Sequence, residues 1–176
     1  MKKDGCKPGE RFDFQKQRCV PHPYTHDPLP TVVKESKDLV KNYLKEYGIV
    51  YPPFTVKIKP FTGYRKGWLA CNRSTVRFTN PIFWINEDMN DIIMESEAKF
   101  DHRIDEYEVI TDNIIHEYAH SIYKWAKYRN PSLLKMIHKA WGNEEDFAEG
   151  FIDYIQEGIG LSEYGQVIQK FKEDMQ

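Results

Sequence analysis

Between residues 105 and 130 the chain runs without a Gly or Pro, and Val109, Ile110, Ile114, Ile115, Ile122 and Trp125 recur at helical spacing. This predicts one long helix, uncharged on several sides around Tyr118, Ala119 and Ser121. Upstream, Val33, Lys37, Val40, Tyr43, Leu44 and Tyr47 predict an amphipathic helix closed by Gly48. The pattern then shortens to strand length. Segments 50–59, 68–71, 75–79 and 82–86 read as strands, separated by turns at Pro52-Pro53, Thr62-Gly63, Asn72-Arg73 and Asn80-Pro81. Residues 88–100 read as a helix or a long loop. Pro131 opens a helix to Trp141, Gly142-Asn143 followed by acids opens another, and residues 162–173 form the last. No internal repeat is present.

The first thirty residues have a different texture. Residues 1–20 form a short segment with Cys6 and Cys19 thirteen positions apart, enclosing Phe12 and Phe14. A disulfide closing a loop of this length contributes about 3 kcal/mol in the chain-entropy model, although a reducing cytosol would keep it open. Residues 21–30 are Pro-rich and read as an extended linker in which His22 and His26 are solvated. The globular part is then 31–176.

With 176 residues and 40% hydrophobic content, the chain can bury one core. A formal charge of −2 argues against a nucleic-acid-binding surface. No run approaches the ~18 apolar residues of a membrane span. The amino end lacks the apolar stretch of a secretory signal, so a cytoplasmic or virion-associated location is expected unless a leader was removed.

The chemistry concentrates at His116-Glu117-Tyr118-Ala119-His120. On a helix, i and i+4 share a face, so His116 and His120 can grip one Zn²⁺ while Glu117 serves as general base to a water there. A catalytic zinc needs a third protein ligand. Downstream, Asn143-Glu144-Glu145-Asp146-Phe147-Ala148-Glu149 reads as a capped helix start. Glu145 and Glu149 are i and i+4 beside Phe147, Ala148 and Phe151, where two acids are costly without a cation. A solvated first turn accounts for Glu144 and Asp146. Cys6, Cys19 and Cys71 lack paired metal-ligand spacing.

The two motifs together resemble the gluzincin metallopeptidases, nearest to the catalytic domain of anthrax lethal factor and the Pro-Pro endopeptidases. The resemblance covers residues 110–154. It implies Glu145 as third zinc ligand and Glu149 as an acid orienting a ligand histidine. A metzincin pattern fails, since Ala126 stands where its third His belongs. The family adds an oxyanion donor, and where its Tyr stands this chain has His138. Tyr154, Tyr164, Tyr128 and Tyr123 are the alternatives for that role. The resemblance implies an α+β, zincin-like fold: a small twisted mixed sheet backing the active-site helix, with a helical C-terminal lobe. The sheet edge, segment 82–86 or 75–79, would bind substrate backbone, with Phe83, Trp84 and Trp68 near subsites.

The expected function is thus a zinc endopeptidase acting on a protein or peptide, with one catalytic zinc. The alternative is a zincin-fold structural or interaction protein without activity, such as a virion component. The two-cysteine segment resembles small adaptor segments in proteins of large DNA viruses, which implies docking to another protein.

Overall fold

The computed structural model describes residues 5, 7, 10–13, 18–21, 24–49, 53–73, 80–158 and 161–175. The architecture is α+β, with a small mixed three-stranded sheet and six helices among the described residues. Strands β1 (Glu10–Asp13) and β2 (Arg18–Pro21) form a separate antiparallel hairpin. Cys19 is disulfide-bonded and Cys71 is a buried free thiol, while Cys6 and Phe14 lie outside the described residues.

Helix α1 (Leu29–Glu46) starts with Pro30 in its first turn and buries Val32, Val33, Val40 and Leu44. It begins inside the stretch expected to be a linker, because Leu29 is itself a core residue. His26, expected to be solvated, has a side chain only 3% exposed. Its Nε2 meets Glu97 and its Nδ1 meets Glu106, both at 2.5 Å. Two deeply buried acids thereby acquire a cationic partner, which explains the burial of the ring. His22 lies outside the described residues.

Three short strands follow: β3 (Thr55–Lys59), β4 (Ala70–Asn72) and β5 (Ile82–Asn86). Their order is β3-β5-β4, with β3 parallel and β4 antiparallel to β5. Segment 82–86 was expected at the sheet edge and instead lies at its centre. Both of its neighbours hydrogen-bond to it, and Phe83 and Ile85 are fully buried. Segment 75–79 lies outside the described residues. Trp68 precedes the strand it was expected to open.

Helix α2 (Met89–Phe100) resolves the helix-or-loop question for 88–100 and ends at Asp101, whose φ of 53° is left-handed. Helix α3 (Glu106–Arg129) is capped by Asp105, whose side chain accepts from Tyr107 N. It runs through the core, burying Ile110, Ile114, Ile115, Tyr118, Ala119, Ile122 and Ala126. Tyr118 packs edge-on against Phe54 and Phe83, joining α3 to the sheet. Asn130 caps α4 (Pro131–Trp141), and Asn143 caps α5 (Glu144–Glu157) through Asp146 N at 2.9 Å. Helix α6 (Leu161–Met175) closes the lobe through Tyr164, which stacks on Tyr154 and Phe147. Among the described residues no helix is long and apolar enough to cross a membrane.

Candidate metal centre

One turn of α3 brings the Nε2 atoms of His116 and His120 to 2.9 Å from each other. The chain leaves α3 through Asn130-Pro131, returns along α4, and turns at Gly142 with φ 83°. This delivers the first turn of α5 to the imidazoles. Glu145 reaches His116 Nε2 at 3.4 Å and His120 Nε2 at 3.1 Å. Donors bound to zinc at about 2.0–2.1 Å in a tetrahedron lie roughly 3.3–3.4 Å apart. The two Nε2 atoms stand 2.9 Å apart, and each meets a different oxygen of Glu145, Oε2 for His116 at 3.4 Å and Oε1 for His120 at 3.1 Å, separations of that order. His116, His120 and Glu145 therefore form a group that could hold a metal, their ligand atoms all within 4.8 Å of one another.

The outward ring nitrogens are also held. His116 Nδ1 meets Glu149 at 3.2 Å, as the resemblance implies for that acid. His120 Nδ1 meets Glu144 at 2.7 Å. Glu144 is thus an acid orienting a ring, not the solvated first-turn residue the sequence suggested. Carboxylates on both Nδ1 atoms turn both Nε2 atoms towards Glu145. Burial and the neighbouring His120 lower the pKa of His116. Burial opposes protonation of His120, yet the Glu144 hydrogen bond and the surrounding acids raise its pKa. The two ring nitrogens face each other across 2.9 Å, with three acids around them.

Glu117 adjoins His116, lines the same cleft and is 7% exposed. Burial pushes its carboxyl up to about 7, against the opposing pull of His120. Its backbone carbonyl accepts from Asn72 Nδ2 at 2.7 Å, as does Ser121 Oγ, so β4 is bolted to α3 beside the motif.

No known family model, curated protein or solved structure matches the chain.

The cleft has a volume of about 400 Å³. It is lined by His116, Glu117, His120 and Lys124 of α3, by Glu144 and Glu145 of α5, and by Arg65, Trp68, Cys71 and Asn72 from β4 and the turn before it. Of the three aromatics expected near subsites, only Trp68 lines it. Phe83 is fully buried, and Trp84 lies under Arg73, 4.8 Å from ring centroid to guanidinium.

None of the expected oxyanion donors lines the cleft. His138 is exposed on α4, its Nε2 2.8 Å from Tyr123 Oη. Tyr164 donates to Phe147 O at 2.8 Å inside the core, and Tyr154 stacks on it. Tyr128 is 54% exposed. Donors that do line the cleft are Arg65, Trp68, Asn72 and Lys124. Lys124 had a legible signal, being one turn beyond His120 on the same helix. Arg65 sits in a short 3₁₀ turn (Gly63–Arg65) with no periodicity to mark it.

Proposed function

We propose that the protein is a zinc-dependent endopeptidase of gluzincin pattern with a zincin-like plan, similar to the lethal factor and Pro-Pro endopeptidase group. The observation that carries this is the meeting of the Glu145 carboxylate with the Nε2 atoms of His116 and His120, beside a buried Glu117. When bound, zinc would supply Lewis acidity, polarising a carbonyl and acidifying a water.

The chain's own residues do the rest. Glu144 and Glu149 hold the rings through their Nδ1 atoms. The Glu117 carboxylate takes a proton from the attacking water and returns it to the leaving amine. Its raised pKa, near 7, suits a group that must both accept and release a proton at neutral pH. Strand β4 edges the sheet on the cleft side, so it replaces 82–86 as the strand to which substrate backbone would add.

A second reading is a zincin-fold interaction protein, such as a virion component docked through its amino-terminal hairpin, that binds metal without turnover. It is favoured by one observation: among the described residues no tyrosine or further histidine lines the cleft as an oxyanion donor. Metal analysis of purified protein, with peptide-library cleavage in the presence and absence of chelator, separates the two. Absence of stoichiometric zinc, or a Glu117→Gln variant cleaving as fast as the parent, would sink the peptidase reading. Stoichiometric zinc without turnover of any peptide would favour the second.

A further inference from the structure

Two cations line the cleft with the candidate ligands, Lys124 on the same helix as the histidines and Arg65 on a separate turn, and their surroundings differ. Lys124 is engaged: its Nζ donates to Asn72 Oδ1 at 3.2 Å and lies in the field of Glu144 and Glu117. Arg65 meets no carboxylate among the described residues. Its guanidinium lies 5.1 Å from the Tyr64 ring centroid and 5.8 Å from that of Trp68. The two rings meet edge to face at 5.6 Å. Its Nε is buried and has no hydrogen-bond partner.

Contacts with aromatic rings use the face of a guanidinium. They leave its in-plane N–H groups for an acceptor, and among the described residues none meets the Nε. The turn carrying Arg65 is pinned from below: fully buried Asn86 donates through Nδ2 to Lys66 O at 3.0 Å and to Trp68 O at 2.8 Å. The fork is thus pre-positioned before any ligand arrives, which lowers the entropy lost on binding.

Charge sorts the direction of approach. Glu117, Glu144 and Glu145 line the cleft beside the histidines, and Arg65 brings it a positive charge to which an arriving anion is drawn. Planar recognition of a carboxylate is what a stacked arginine does best.

We propose that Arg65 receives a carboxylate of the peptide substrate, either an Asp or Glu side chain or a free C-terminus, and so directs the site to acidic peptides. This rests on the peptidase reading for the identity of the substrate, but its test does not need turnover.

The probe is a set of acetylated hexapeptide pools, each with one position fixed as Asp, Glu, Asn or Gln. Every pool is made with a free carboxyl and with an amidated C-terminus. Binding is measured on the full-length Glu117→Gln protein supplied with zinc, so that no pool is consumed. Carboxyl pools should be retained about tenfold better than their carboxamide counterparts, the scale of one hydrogen-bonded charge pair. The fixed-position and C-terminal comparisons show which carboxylate is read.

Adding Arg65→Gln should abolish that preference while leaving the thermal melting profile and zinc content unchanged. Equal retention of acid and amide pools overturns the proposal, as does retention of no pool or a preference that survives Arg65→Gln. Absence of zinc or cleavage in the parent protein, with the binding preference intact, overturns the peptidase reading and leaves the Arg65 assignment standing.

Discussion

Replacing His26 with alanine removes the cation that sits between two buried carboxylates. Glu97 and Glu106 have side chains 0% and 3% exposed, and each holds one nitrogen of the ring at 2.5 Å. Losing one partner of a buried ion pair costs about 3–5 kcal/mol. The lower end applies here, because some partners remain. Glu106 keeps Arg103 Nη2 at 3.2 Å, and Glu97 keeps Ile104 N at 2.9 Å. The expected loss of about 3 kcal/mol lowers Tm by roughly 6–12 °C for a chain of this size. The sign of the pH dependence follows from two shifts. Burial opposes protonation of His26, but its hydrogen bonds to Glu97 and Glu106 raise its pKa. Its contribution is therefore complete below its ordinary pKa of about 6.5 and is lost as pH rises through the raised value. Burial likewise works against ionisation of Glu106, yet the His26 hydrogen bond lowers its pKa. That contribution is present above the ordinary carboxylate range and is lost as pH falls through the lowered value. Urea unfolding of the parent and His26→Ala, in a pH series upward from about 6 where Glu106 stays ionised, reads the His26 contribution. The gap between them should be widest at the acidic start and shrink as pH rises. A gap below about 1 kcal/mol, or one constant across the series, would refute the clasp.

Glu144→Gln and Glu149→Gln should each weaken zinc affinity about 10–100-fold in a chelator competition. The first should weaken it more, since its contact is 2.7 Å against 3.2 Å. Glu117→Gln should keep stoichiometric zinc by metal analysis and lower peptide hydrolysis by about 10²–10⁴; retained activity would remove the base from the reading. Gly150→Ala places a methyl 2.2 Å from Tyr164 Oη, which is held by its bond to Phe147 O. Overpacking of about 1–3 kcal/mol should outweigh a helix-propensity gain of about 1, lowering the urea midpoint.

The helices that carry the candidate metal ligands were legible because their signals are local. An unbroken periodic run with a capping Asp gives α3, and Pro131 and Asn143 mark the starts of α4 and α5 within the residues that shape them. Glu145 and Glu149 were picked out by their i, i+4 spacing and by the motif's resemblance, whereas the burial expected to demand a cation is not there, their side chains being 66% and 68% exposed. What escaped depends on distant partners. Nothing near His26 announces acids 71 and 80 residues away, and a Pro-rich segment resembles a linker whether or not its histidine is buried. The alternation in 82–86 reports buried faces, but a central strand and an edge strand share it.

The remainder of the cleft shows how the two kinds of information join. Lys124 is placed by helical period alone, whereas Arg65 and Trp68 are placed by the amide of Asn86, a strand residue about twenty positions on. A buried Asn at the end of an apolar strand is costly unless both its donors are used, and here they grip the backbone on either side of Gly67. That demand ties the loop to the sheet. The sheet is tied in turn to the zinc-motif helix through Asn72, whose amide bonds Glu117 O and Ser121 Oγ. The separation between Arg65 and the candidate metal ligands is thus set by two asparagines, buried Asn86 and half-buried Asn72, each spanning from one element to the backbone of another.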